Sequence, residues 1–284
     1  MRTRRGIGFV VAAAMTWGTW SLFVRPAGVS VLISAPIVFA IMGLAALPLA
    51  WRESKARWDR TTAWLLVGNT LFDALNVVTF FAAIQNTTLA IAVMTHYAAP
   101  VIIAIAAPRI DRFRVKGAIP AALVALVGLA IVLEPWRGLT DGARNALVGG
   151  ALGLASAFCY AGNVFVVRRL AERIGNGRAL AFHSILAAIL LAPFAWLDAD
   201  GLNGIASLGW LAMGAVLCGT AAGYIYIIGL RETGSARAGV LAFAEPIVAV
   251  IVGALVWHEA IHPAAAIGGV LVLAAGIHVA RQAR

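Results

Sequence analysis

The sequence predicts an all-α integral membrane protein: ten transmembrane helices, arranged as two inverted five-helix repeats, with both termini in the cytoplasm. Three observations predict it: a composition too apolar for water, a series of apolar windows of membrane length, and a one-sided distribution of basic residues. Of 284 residues, 62% are hydrophobic and 12% charged, whereas a soluble globular chain carries about 25% charged residues. A disordered chain is excluded by the same numbers, since disorder goes with high charge and few apolar residues. Strand-like alternation is absent, which excludes a barrel.

The apolar windows fall at about 6–24, 30–51, 62–84, 88–107, 115–134, 145–168, 178–197, 207–230, 235–257 and 262–280, and a span needs about 20 such residues. Turn-forming residues separate them: Arg25-Pro26, Asp59-Arg60, Asn86-Thr87, Asp111-Arg112, Gly138 to Gly142, Gly175 to Gly177, Asp198 to Gly201, Gly234 and His262-Pro263. No loop is long enough for a separate domain. Arg2, Arg4 and Arg5 ahead of Ala12-Ala13-Ala14 imitate a secretory signal. The apolar run continues through Trp17 and Trp20 to Val24, however, and reads as an uncleaved first span.

With the N-terminus placed in the cytoplasm, 19 of the 22 Lys and Arg residues fall in inner segments, and only Arg25, Arg137 and Arg144 in outer ones. Basic residues are retained on the cytoplasmic side of membrane proteins, so the net charge of +10 expresses topology and not nucleic-acid binding. Cys159 and Cys218 lie inside apolar runs and read as small buried side chains. His258, Glu259 and His262 make the single metal-like grouping, at a loop, and no cofactor or metal is expected.

An internal repeat divides the chain at 1–140 and 141–284. Tyr97-Ala98-Ala99-Pro100 in the fourth span matches Phe243-Ala244-Glu245-Pro246 in the ninth at an offset of 146, which also pairs Phe80 with Tyr226 and Thr87 with Thr233. An offset of 143 pairs Trp17 with Tyr160 and Arg25 with Arg168; one of 148 pairs Gly128 with Gly276. Five helices is an odd number, so the second repeat enters the membrane from the opposite side, an architecture favoured by secondary transporters.

Ten spans in five-plus-five form, prolines within the fourth and ninth, Trp17-Gly18 in the first, and Trp257-His258-Glu259 closing the ninth resemble the drug/metabolite transporter superfamily. More narrowly, the chain resembles the EamA-type exporters of bacterial inner membranes, and within them the amino-acid exporters, including the aromatic ones. The resemblance covers essentially the whole chain. It implies export of metabolites through a central cavity lined by helices one, three, four, six, eight and nine.

Polar groups at mid-membrane mark function or helix pairing. Of twelve carboxylates, only Asp73 and Glu245 lie well inside spans, and both are candidates for coupling transport to protons. Asn69, Asp73, Asn76 and Phe80 share one helix face; they line a cavity or form a polar seam with a neighbouring helix. His96 and Tyr97 precede Pro100, and Glu245 precedes Pro246. Each proline removes a helix hydrogen bond, freeing the carbonyls of His96 and Ala242 and marking a bend with a gating role. His96 either meets substrate or bonds within the bundle, and Glu245 either couples or serves as a structural hydrogen-bond partner. Trp17, Trp20, Tyr160 and Asn163 add an aromatic and polar wall suited to an amphipathic solute, with Asn76, Phe80, His96, Tyr97 and Tyr226 completing the substrate-binding set. Trp51, Trp58, Trp64, Trp136, Trp196, Trp210 and Trp257 read as interface anchors, Gly149/Gly153 and Gly219/Gly223 as close-packing pairs, and His183 and His278 as structural.

These features point to a secondary exporter of amino acids, aromatic or other neutral ones, and related metabolites, acting as a monomer by alternating access. Efflux of cationic or lipophilic drugs is the second transport reading. No P-loop is present for ATP coupling, and neither a Gly-x-Ser-Gly motif nor clustered aspartates support an intramembrane enzyme. Proton antiport and facilitated diffusion fit the sequence equally.

Overall fold

The computed structural model describes residues 2–53, 56–112, 114–136, 146–197, 201, 204–260 and 262–282. Lys55, Arg137, Arg144 and Arg284 of the charge count, the Gly138 to Gly142 turn with the repeat boundary, and Asp198 to Asp200 lie outside them. All regular structure among the described residues is helical. In chain order the main helices are α1 (Thr3–Ala27), α2 (Val31–Trp51), α3 (Arg60–Asn86), α4 (Leu89–Ile110), α5 (Ala118–Leu133), α6 (Ala146–Ile174), α7 (Asn176–Trp196), α8 (Ile205–Thr233), α9 (Ser235–Trp257) and α10 (Ala264–Arg281). Nine of them are long and apolar enough to cross a membrane. The exception is α5: at 16 residues it rises about 24 Å, short of a hydrocarbon layer about 30 Å thick. Left-handed Gly117 precedes α5, and left-handed Glu134, followed by Pro135, ends it.

Local chemistry sets the helix starts. The Asp59 carboxylate accepts the Thr62 N–H at 2.9 Å and caps α3, and the Thr88 hydroxyl does the same for α4 through Ile91 N–H. Gly28, in the left-handed region, turns the chain between α1 and α2. Glu53, just past α2, accepts from the backbone N–H groups of Gly177 and Arg178, placing an anion at the N-terminus of α7 where the helix dipole favours it.

The core is built largely of small side chains, among them Ala13, Ala46, Ala122, Ala161 and Ala181, each 3% exposed or less, which lets helix backbones approach. The closest approach joins α5 to α10: a Cβ on Gly128 would lie 2.6 Å from the Gly268 carbonyl oxygen, and one on Gly268 would clash in turn with Gly128 O. Gly149 and Gly153 of α6 lie against Thr87 and Thr95 at α4, while Gly219 and Gly223 of α8 meet Met42 of α2 and Leu180 of α7. The outer surface presents Leu44, Leu71, Val127, Leu147, Ile189, Ile205, Leu255 and Val270, all over 40% exposed. An apolar belt of that extent is covered by lipid and not by water.

The dominant packing partners are α1 with α8, α3 with α6, α2 with α7, and α5 with α10. Lesser contacts join α4 to α6 and α9, α1 to α9, α3 to α7, and α2 to α8. This pattern is unchanged when each of the first five helices is exchanged for its counterpart in the second five.

Candidate functional site

Four helices lose their regular geometry at points that lie against one another. In α1, Gly18 to Trp20 form a tight turn in which Thr19 N–H and Trp20 N–H donate three residues back, to Thr16 and Trp17. Gly18 is required there because a Cβ would sit 2.6 Å from both the Glu245 carbonyl oxygen and the Val248 side chain of α9. In α4 the break falls at Tyr97-Ala98, and in α9 at Ala242-Phe243, each just ahead of its buried proline, Pro100 and Pro246. The Ala242 carbonyl, expected to be freed by Pro246, is taken by the Glu245 N–H at 3.0 Å; the chain tightens by one residue and leaves no orphan acceptor. In α8, residues Ala215–Ala221 form a π-helical segment, whose wider turn presents the Cys218 carbonyl to the Trp17 indole N–H at 2.8 Å.

These irregularities gather an aromatic cluster around one carboxylate. Trp17 packs against Tyr226, with ring centroids 4.8 Å apart and planes tilted by 52°, and Tyr97 lies 5.7 Å from Phe243. His96 contacts Phe80 at 4.7 Å, Tyr97 at 5.5 Å and Tyr160 at 5.6 Å. Glu245 sits among them, with the Tyr97 hydroxyl beside it. The Tyr160 and Tyr226 hydroxyls lie close to each other and to Glu245, but Tyr226 Oη has no partner of good hydrogen-bond geometry. Trp17, Phe80, His96, Tyr160 and Glu245 are only partly buried. No Lys or Arg is bonded to any of them among the described residues.

His96 is oriented by a relay. The Ser156 hydroxyl donates to Asn76 Oδ1 at 2.8 Å, so its oxygen accepts from His96 Nδ1–H at 2.7 Å. With Nδ1 as donor, a neutral imidazole keeps Nε2 as a free acceptor, and no side chain among the described residues takes it up.

Asp73 belongs to a separate group. Its Oδ2 lies 3.0 Å from His183 Nε2 on α7, and its Oδ1 accepts from Asn163 Nδ2 of α6 at 3.1 Å. The polar stripe on α3 thus bonds to α6 and α7 at Asp73 and to α6 at Asn76, while Asn69, fully buried, has no partner for either amide atom. Of the sequence-predicted set, Trp17, Phe80, His96, Tyr97, Tyr160, Tyr226 and Glu245 come together, with Asn76 behind His96. Asn163 joins Asp73. Trp20 stands apart, packed beyond the α1 turn beside Gly214 of α8.

Ion pairs tie the helix ends. At the arginine-rich end Arg5 meets Glu232, linking α1 to α8. There too Arg168 of α6 meets Asp111 at 2.9 Å, whose other oxygen accepts the Ser235 N–H at the start of α9 at 3.0 Å. Arg237 lies inside α9, 4% exposed, and donates to the Thr233 and Val279 carbonyls. At the opposite end Arg25 pairs with Glu259 and lies 5.1 Å over the Trp257 ring. Trp257 Nε1–H donates to Ser21 Oγ at 3.1 Å. Trp257 is therefore part of a link between α1 and α9 and not only an interface anchor.

Residues 147–280 match the model of the EamA-like transporter family. An uncharacterized transporter of Archaeoglobus fulgidus is 31% identical over 274 residues, 95% of this chain and 94% of that protein. The chain belongs to the EamA-like transporter family. A solved crystal structure, 21% identical, superposes with a TM-score of 0.83 over 97% of this chain and 98% of that one, so the fold is shared as well. This transporter is thus a multi-pass membrane protein of the drug/metabolite transporter superfamily, with small-molecule cargo. Among its described residues no group of three His, Cys, Asp or Glu side chains is placed to hold a metal.

Sequence reasoning missed four contributors. Ser156 shares a helix face with Tyr160 and Asn163, at spacings of four and three, and that periodicity was the available signal. Phe243 stood in the matched proline motif, as the counterpart of Tyr97. His183 gave no sign of its partner on α3. The Cys218 carbonyl depends on a π segment that no residue pattern announces.

Proposed function

We propose that the transporter exports amino acids, aromatic or other neutral ones, and related metabolites across a bacterial inner membrane, by alternating access through the space around Glu245. The observation that carries this reading is a single carboxylate enclosed by Trp17, Tyr97, Tyr160, Tyr226 and Phe243, at the irregular points of α1, α4, α8 and α9. A carboxylate flanked by aromatic faces suits an ammonium group, and the ring walls suit an apolar side chain. His96 Nε2 and the tyrosine hydroxyls offer hydrogen bonds to the remaining polar end. The chemistry is binding and release, with no catalytic step.

Two inverted repeats, 1–140 and 141–284, give ten crossings with α5 as the short one, and both termini cytoplasmic. The exchange symmetry of the helix packing supports this, as does a family match spanning α6 to α10. The cluster itself obeys the offsets: Trp17 corresponds to Tyr160, Phe80 to Tyr226 and Tyr97 to Phe243, while Glu245 and His96 have Ala99 and Ala242 as counterparts. One chain encloses the whole cluster, in keeping with a functional monomer.

The absence of Lys and Arg from the cluster favours a second reading, efflux of lipophilic amines that carry no carboxylate. Counterflow in proteoliposomes decides between them, using labelled neutral amino acids, the corresponding decarboxylated amines and a lipophilic cation. Exchange of amino acids, weakened at least tenfold by Glu245→Gln, is the expected result. Exchange of amines or the cation with none of amino acids selects the second reading, and no exchange of any probe overturns both.

A further inference from the structure

Outside the aromatic cluster, α3 and α7 hold a pair whose hydrogen-bond bookkeeping does not close without an additional proton. His183 is 4% exposed, and its Nδ1 lies 2.8 Å from the Ala179 carbonyl oxygen. A carbonyl has no proton to give, so Nδ1 carries one. In a neutral imidazole this makes Nε2 a bare acceptor. Nε2 nevertheless lies 3.0 Å from Asp73 Oδ2, which in an ionised carboxylate is also an acceptor only. Two facing lone pairs in a buried contact repel, whereas a proton between them makes a charge-assisted hydrogen bond. The observed contact therefore holds one proton more than neutral histidine and free carboxylate together, whichever of the two atoms carries it.

Among the described residues no fixed cation replaces that proton. From α6 the facing group is the neutral Asn163, donating to Oδ1. Tyr160 of α6 is turned to His96; Arg168, Arg169 and Arg173 are engaged at its end with Asp111, the Ile110 carbonyl and Asp59, and Glu172 with Arg168. Helix α2 carries no titratable residue along Val31–Trp51. On α8, Tyr226 packs against Trp17, Tyr224 lies near Glu53, Arg231 bonds Asn176, Glu232 bonds Arg5, and Cys218 lies at Thr19 and Thr16. His96 and Tyr97 of α4 belong to the aromatic cluster. The Asp73 side chain is 17% exposed and that of His183 5%, so a proton reaches the pair from the aspartate side.

We propose that Asp73 and His183 form the binding site of a coupling proton, separate from the cargo site at Glu245. The proposal rests on the reading of the chain as an alternating-access transporter. The proton enters from solution, bridges Oδ2 and Nε2 while α3 and α7 are joined as observed, and leaves from the aspartate when they part. Asp73→Asn is the informative variant, because its amide N–H donates to the neutral Nε2 and preserves the contact without a titrating proton.

The test has two arms, both on the full chain. In the first, imidazole 15N spectra of the purified transporter are followed against pH, with His183 assigned by His183→Gln. Nδ1 is expected to stay protonated throughout. The Nε2 resonance is expected to shift with pH in the wild type, and to stay fixed at the neutral position in Asp73→Asn. In the second, counterflow without a pH gradient is compared with gradient-driven accumulation. Asp73→Asn and His183→Gln are expected to retain counterflow and to lose the response to the gradient. An Nε2 titration indifferent to Asp73, or variants that still follow the gradient, overturns the proposal. Failure of every cargo probe removes the transport reading, while the spectra alone still decide whether the pair shares a proton.

Discussion

At the scale of single residues, the contacts worth testing are those where one atom decides. Asp59 lies outside the spans, and its carboxyl is held down at about 2, chiefly by the Thr62 backbone N–H and further by Arg173. A depressed acid contributes stability above its unfolded value and loses it as pH falls through the folded one. Thermal melts are therefore expected to show wild type above Asp59→Asn at neutral pH, with the gap closing between about pH 4 and pH 2; a gap constant across that window would remove the ion pair with Arg173 from the account. Trp17→Phe keeps a ring against Tyr226 but deletes the donor to the Cys218 carbonyl. The loss is about 1 kcal/mol, so cargo affinity measured by counterflow is expected to weaken about fivefold, and unchanged affinity would show that the indole N–H does not position the ring. Legibility at this scale followed scarcity. Asp73 and Glu245 were visible because carboxylates are rare inside spans, whereas Ser156 was hidden among many small residues. His183 was read as structural because a histidine's partner lies on another helix, at a sequence separation of 110, and no local spacing encodes it.

At the scale of the helix, prolines were readable and other breaks were not. Pro100 and Pro246 announced the bends in α4 and α9, because the lost N–H and the ring clash act on known neighbours. The break in α1 has no proline; it exists because Gly18 lets α1 approach the α9 backbone, a tertiary cause. The π segment of α8 has no sequence signature either. Span positions were legible to within a few residues because bilayer thickness imposes a length, yet α5 proved too short for the predicted window, cut by the left-handed residues at its two ends. The Gly18 contact makes a paired prediction. Gly18→Ala forces a methyl against the Glu245 carbonyl, and overpacking of this kind costs about 1–3 kcal/mol. A lower melting temperature with loss of counterflow is expected. Gly8→Ala, on the same helix with nothing within 4 Å of the added carbon, is expected to leave both intact or to stabilise slightly, as alanine is the better helix former. Equal effects from the two substitutions would mean that α1 tolerates separation from α9.

At the scale of the whole molecule, two ion pairs at matched sequence positions lie at opposite ends of the bundle. Arg25 and Arg168 occupy matched positions in α1 and α6, and their partners, Glu259 and Asp111, close α9 and α4. One pair joins α1 to the end of α9, and the other joins α6 to the end of α4. Both are made in this structure, but in different settings: the Arg168 and Asp111 side chains are 21% and 5% exposed, those of Arg25 and Glu259 46% and 51%. An exposed pair contributes about 0–1 kcal/mol, and the more enclosed Arg168–Asp111 pair costs more to break, because burial leaves the remaining charge less solvated. If the space around Glu245 opens to one end at a time, the two pairs act as opposed latches of unequal strength. Asp111→Asn is then expected to separate α4 from α6 at the arginine-rich end and to tighten α1 against α9 at the other. Glu259→Gln is expected to do the reverse, more weakly. Spin-label distances across the α4–α6 and α1–α9 ends, measured in the same lipid for both variants, read the two separations independently. Opposite signs at the two ends are the signature of alternation. Separation at both ends together, or movement confined to the mutated end, would mean that the pairs only brace the bundle and that access to the cluster is controlled elsewhere, at the bends of α4 and α9.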